Sequence, residues 1–233
     1  MSLVIDSGWT EGDRYYSNVS LLLHGDGANG STTITDSSPT PKTVTAVGAT
    51  ISTTQSKYGG SSINFTSANA RVEIENNSSL DLASTIYTVE FFIYPDYSGA
   101  YPGFANVMGK QQETIAGWSI WLVNGVLNVG INGNYNSIAA ALLAKQSWTH
   151  IAVVDTGTQT VVYVNGAQSA TSASRNTTST SLLFTAGCNK PGVNWGAVYP
   201  FSGYIDDLRI TKGVARYTAN FTPPTEPFAD GYY

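Results

Sequence analysis

The residues that could break bonds in this 233-residue chain are few and thinly spread. Glu73 and Glu75, two apart in Val72-Glu73-Ile74-Glu75, would share one face of a strand. There one acid could protonate a leaving oxygen while the other attacked, the arrangement of glycoside hydrolysis. Solvated acids at a strand edge would carry the same spacing. Asp206-Asp207 is the other acidic pair. His24 and His150 are the only histidines, too few for a His-rich metal site. His150 falls within an apolar run, where a hydrogen-bonded core histidine is expected rather than a base. Cys188 is the single cysteine, permits no internal disulfide and has no Cys/His/Asn arrangement around it, so it reads as small apolar filler. No G-x-S-x-G, H-E-x-x-H or phosphate loop occurs, and the chain is not expected to be an enzyme.

Binding chemistry is better represented. Aromatic rings stand beside Gly and Asn in three segments, 97–103, 132–136 and 192–199. Rings against sugar C–H faces, with amides reading hydroxyls, are how neutral saccharides are held. Trp195, Asn194, Tyr135 and Tyr101 are therefore the expected ligand-binding residues. The alternative is that these rings cap the ends of the fold or pack on a neighbouring subunit. Trp118 and Trp121, three apart in one apolar run, should divide between the core and the sheet surface.

Composition narrows the partners. Charged residues make up 12% of the chain, about half the usual share, so its polar surface must be built from Ser, Thr, Asn, Gln and Gly. Disorder is opposed by 14 Tyr, 8 Phe and 5 Trp. A net charge of −5 with scattered Lys and Arg leaves no footprint for nucleic acid. The longest apolar runs are too short for membrane insertion, and the stretch from Met1 to Trp9 does not read as a signal peptide.

The elements that must position these residues are strands. Apolar runs recur with turn punctuation at 19–23, 61–65, 71–74 and 87–95, and the second and third are expected to pair around the loop between them. Asn124-Gly125 and Asn165-Gly166 each sit between apolar runs and predict two-residue hairpins. The segment 148–154 reads as a strand buried on both faces, and only 138–145, rich in Ala and Leu, could form a helical turn or two. Roughly a dozen strands in two packed antiparallel sheets are expected, an all-β jelly-roll sandwich whose first and last strands pair.

A series of short strings carries a family resemblance. They are L-L-L-H-G-D-G at 21–27, D-S-S-P-T-P-K at 36–42, K-Y-G-G-S-S at 57–62, V-E-F-F-I-Y-P at 89–95, W-T-H-I-A-V-V at 148–154 and V-Y-V-N-G at 162–166. The last run is G-Y-I-D-D-L-R-I at 203–210, continued by T-K-G-V-A-R-Y-T and F-T-P-P at 221–224. In this order they resemble laminin-G-like, concanavalin A-like jelly-roll domains of the branch found in bacteriophage tail and virion proteins. The resemblance spans about 18–230, which implies a domain over 18–233 preceded by an arm or linker over 1–17. Hydrolases of this architecture carry an E-x-D-x-E type run, and here the third acid and the flanking aromatic are missing. Relatives of the laminin-G type often hold calcium between the first long loop and the last strand. The resemblance implies one structural calcium ion at Asp36 and Asp206, although Pro39-Thr40-Pro41 replaces the usual Gly-Asn-Gly. The alternative at Asp36 is an Asx-turn that starts a proline-stiffened loop. The function implied is non-catalytic recognition of a cell-surface glycan on a virion, with other virion or tail subunits as further partners. A purely structural spacer is the second reading, and a polysaccharide hydrolase the third.

Overall fold

In Tyr87–Pro95 the side chains of Tyr87, Val89, Phe91 and Ile93 enter the main core, while Thr88, Glu90, Phe92 and Tyr94 alternate with them onto the opposite face. The same alternation, repeated along the chain, builds two sheets around one apolar layer. The computed structural model describes residues 12–112, 116–132, 138–190, 192 and 198–231. Its strands are β1 (Val19–Leu23), β2 (Thr45–Val47), β3 (Thr50–Ser52), β4 (Ser62–Asn64) and β5 (Arg71–Ile74). Then follow β6 (Tyr87–Pro95), β7 (Ala105–Gln112), β8 (Ala116–Val123), β9 (Val126–Ile131) and β10 (Ile138–Leu142). The last five are β11 (Thr149–Asp155), β12 (Thr160–Val164), β13 (Ala167–Ser172), β14 (Phe184–Ala186) and β15 (Gly203–Lys212).

The eight-stranded sheet runs β13-β12-β11-β6-β15-β4-β3, with β1 also paired to β15. The seven-stranded sheet runs β10-β9-β8-β7-β14-β5-β2. All strand pairs are antiparallel, and the fold is the expected two-sheet jelly-roll sandwich. The first and last strands pair as expected, from Val19 opposite Thr211 to Leu23 opposite Leu208. Both Asn-Gly hairpins form, with positive φ at both central residues: 50° and 83° at Asn124 and Gly125, 49° and 75° at Asn165 and Gly166.

Two local expectations fail. The segments 61–65 and 71–74 do not pair, because β4 joins β3 and β15 in one sheet while β5 joins β2 and β14 in the other. The loop between them carries the chain across the sandwich. The Ala/Leu-rich segment is strand β10 rather than helix, with Ile138 opposite Val129. Ladder pairing with β9 overrides a favourable local helix propensity.

The outer face of the eight-stranded sheet is covered by the chain's last part. Tyr217 and Phe221 stack with ring centroids 3.5 Å apart, and they pack on Ala152, Val154, Val161 and Tyr163. Phe228 closes a second cluster with Val19, Leu22 and Phe92. Between these clusters Glu90, fully buried, receives Arg209 at 2.8 Å and the Tyr217 hydroxyl at 2.8 Å. Asp13 joins the network through Arg216 at 2.5 Å and Arg209 at 3.2 Å. Of the segment expected as an arm, the described part from Gly12 onward is thus packed on the sandwich.

Candidate functional site

Tyr101, one of the four expected ligand residues, lies at the rim of a groove of about 590 Å³ with Asn124, Leu142 and Lys145. Its ring rests on the Asn124-Gly125 turn so closely that a Cβ on Gly125 would fall 2.3 Å from it. Only glycine admits both the ring and the positive φ there. The Tyr101 hydroxyl donates to the Leu143 carbonyl at 3.1 Å, and Tyr97 packs behind it with ring centroids 5.0 Å apart. Lys145 Nζ sits 5.1 Å from the Tyr101 centroid and donates to the Gly99 carbonyl. Leu142, 66% exposed, is the large apolar side chain left open to solvent among the described residues. The groove therefore offers an apolar platform, an amide and an ammonium within one edge of the seven-stranded sheet. Sequence reasoning did not single out Leu142 and Lys145, which stand in the segment where it allowed a helical turn or two.

Trp195, Asn194 and Tyr135 lie outside the described residues. Trp118 and Trp121 divide as expected: Trp118 is in the core, while Trp121 stacks on Phe104 at 5.7 Å away from it.

Asp36 is buried, and both of its oxygens are taken. Oδ1 accepts from Leu22 N–H at 3.1 Å and Ser38 N–H at 2.9 Å, and Oδ2 from Lys42 N–H at 2.7 Å. Lys42 Nζ adds a cation 3.7 Å from Oδ2. The Ser38 contact is the Asx-turn. Asp206 lies at the β-bulge in β15, where the register against β6 shifts between Asp206 and Arg209. Its Oδ2 accepts from the N–H groups of Lys57 and Tyr58, while Oδ1 is buried without a partner. Burial pushes the Asp206 carboxyl up to about 7, beyond what those two hydrogen bonds can hold down. Calcium wants six or more oxygens. With Asp36 filled, Asp206 Oδ1 is the one open carboxylate oxygen of the pair, and no three metal-ligating side chains converge among the described residues. The donor set does not fit an ion held between Asp36 and Asp206.

The acids weighed for hydrolysis are also spoken for. Glu73 receives Arg71 at 2.7 Å and Lys190 at 2.8 Å. Burial alone would raise its pKa, but these two cations outweigh it and hold the carboxyl below the ordinary range. A carboxyl held ionised cannot serve as the proton donor that glycoside cleavage needs. Glu75 lies beyond the end of β5 and is exposed.

The sequence matches the family model of the concanavalin A-like lectin/glucanases superfamily over residues 66–216, and the chain belongs to that superfamily. No curated protein matches it. Among solved structures, the binding domain of Paraclostridial Mosquitocidal Protein 1 superposes with a TM-score of 0.63 at 14% identity, over 88% of this chain and 51% of that one. The receptor binding domain of botulinum neurotoxin D gives a TM-score of 0.63 at 13% identity, over 88% and 51%. The binding domain of Botulinum Neurotoxin DC in complex with SialylT gives 0.62 at 16% identity, over 84% and 48%. The chain spans about half the length of each, and identities this low speak for the fold alone.

Proposed function

We propose that this chain is a non-catalytic carbohydrate-binding module of a phage tail or other virion surface protein, recognising a glycan on the host surface. The observation that carries the reading is the groove beside Tyr101, where a half-buried ring, an exposed Leu142 and the Asn124 amide converge. An apolar platform with a few polar groups is the usual composition of a saccharide site. The ion pairing of Glu73 supports binding without hydrolysis. The resemblance of the 203–224 run supports the virion setting, and the binding domains of like fold supply an analogy.

Leu142→Asn is the cleanest test, because an exposed side chain contributes little to folding. The variant should lose binding to host cells and to a glycan array at an unchanged melting temperature. Tyr101→Ala should lose binding too, with some destabilisation because its ring packs on Tyr97 and the Asn124-Gly125 turn. Wild-type binding by both variants would refute the groove.

A second reading keeps the same patch: a spacer domain whose exposed Leu142, on edge strand β10, docks on a neighbouring virion subunit. Then the isolated domain binds no glycan, and Leu142→Asn impairs particle assembly instead.

A further inference from the structure

On the other sheet, the segment 222–225 bridges the two aromatic clusters of the covering tail. It borders an open cavity of about 480 Å³ against the outer face of the eight-stranded sheet. Phe221 is fixed on one side by its N–H donating to the Gly166 carbonyl at 2.9 Å. The Tyr58 hydroxyl, donating to the Pro224 carbonyl at 2.6 Å, fixes the middle. Pro223 and Pro224 thereby line a cavity whose other walls come from residues far apart in sequence: Tyr58, Phe92, Trp148 and His150.

Three features of this cavity lack a counterpart within the protein. Trp148 is only half-buried; Tyr94 packs against it at 5.4 Å, yet the indole still lines the cavity. Lys57 places its ammonium 5.1 Å from the Tyr58 ring and 5.3 Å from the Phe92 ring, with no carboxylate in ion-pair range among the described residues. His150, 1% exposed, has neither ring nitrogen in a hydrogen bond, with Nε2 3.5 Å from Glu90 Oε2. Although burial opposes it, Arg209 holds the Glu90 carboxyl down to about 2, so Glu90 is ionised. Either ring nitrogen of His150 can donate or accept according to its tautomer. A buried polar atom without a hydrogen-bond partner costs free energy and calls for one.

These features specify a ligand by its chemistry: a flat C–H face for the indole and the prolines, a hydroxyl for the unpartnered His150 ring and an anion for Lys57. We propose that the cavity binds a sugar ring bearing one acidic group, a site separate from the Tyr101 groove and on the opposite sheet. The volume lies within the range of small-ligand sites. Thr222, Thr225 and Asn165 supply further polar contacts at its rim. Bacterial surface polysaccharides could present such a ring as a uronic acid or as a sugar phosphate, and the shared chemistry is the anionic pyranose.

Titration of isotope-labelled protein with methyl glucuronide, glucose 6-phosphate and neutral methyl glucoside tests this through the indole N–H resonance of Trp148. At least one acidic sugar should shift that resonance saturably and bind about tenfold or more tighter than the glucoside, the worth of one charge-assisted contact. The two acidic probes distinguish carboxylate from phosphate. Lys57→Gln, a change at the cavity mouth, should erase the preference at an unchanged melting temperature, and Tyr101→Ala should leave it intact. Equal response to all three sugars, no response at Trp148, or an undiminished preference in Lys57→Gln would each overturn the proposal.

Discussion

His24 Nδ1 and Asp207 Oδ1 lie 2.5 Å apart, joining the residue that follows β1 to the bulge in β15. Asp207 stands at φ 46°, a left-handed conformation that the bulge imposes on it. Its second oxygen accepts the Phe228 N–H at 2.8 Å. One carboxylate thus ties the first strand's exit, the last strand and the covering tail, three segments distant in sequence.

That pair makes stability depend on pH. Burial alone would lower the His24 pKa, but the hydrogen bond and charge of Asp207 outweigh it, so the folded value lies above the ordinary one. A group whose pKa is raised on folding contributes stability that is complete below the unfolded value, about 6.5, and is lost as pH rises through the folded value. Melting temperature should therefore fall as pH rises above about 6.5, and His24→Gln should flatten that slope. Melts followed by circular dichroism at several pH values check this; an unchanged slope in the variant refutes it.

Asp206 adds a pH dependence of its own at lower pH, since the stability tied to its raised pKa is lost as pH rises from the ordinary value of 3.8 to about 7. Its folded pKa of about 7 means that folding above that pH buries a charge with one oxygen unpartnered. Asp206→Asn keeps an oxygen for the N–H groups of Lys57 and Tyr58 and removes the charge, so at pH 8 it should raise the melting temperature. Calcium and chelator should leave the wild-type melting temperature unchanged, because Asp36 has no oxygen to offer a cation. A calcium-dependent increment that disappears in Asp206→Asn would establish an ion there, by the stabilisation any ligand of the folded state confers.

How much of this was legible in the sequence depends on how local each feature is. The Asn-Gly hairpins, the alternation in β6 and the pairing of β1 with β15 follow from turn chemistry, periodicity and the family strings. The 138–145 segment allows a helical turn in sequence because Ala, Leu and Lys favour helix, and only pairing with the neighbouring β9 makes its first part a strand. The cavity beneath Pro223 was invisible because Tyr58, Phe92, Trp148 and His150 meet only after folding. Each of those residues stands in a string that marked the fold. A low charged fraction also gave no hint that Asp13, Glu90 and Arg209 would be buried together.

Asp36 should prove structural. Asp36→Ala would leave the N–H groups of Leu22, Ser38 and Lys42 without their acceptor, at a cost on the order of 3 kcal/mol. Asp36→Asn retains one acceptor oxygen and should cost about half as much. Urea unfolding of both variants measures the difference. Two equal, small effects would mean that water replaces the carboxylate.

Glu90 carries the heaviest load in the outer-face network. It is fully buried between Arg209 and Tyr217, with Arg216 Nε 3.6 Å away. Removing one partner of a buried ion pair leaves the other charge uncompensated, which typically costs about 3–5 kcal/mol. Glu90→Ala should therefore destabilise strongly and loosen the tail that Tyr217 anchors. The double variant Glu90→Leu/Arg209→Met, which removes both charges at similar volume, should recover much of that loss. Amide exchange across residues 215–228 separates the two effects: protection should collapse in Glu90→Ala and return in the double variant. If the tail stays protected in Glu90→Ala, its aromatic stacking alone holds it down, and the ionic network contributes to the strands only.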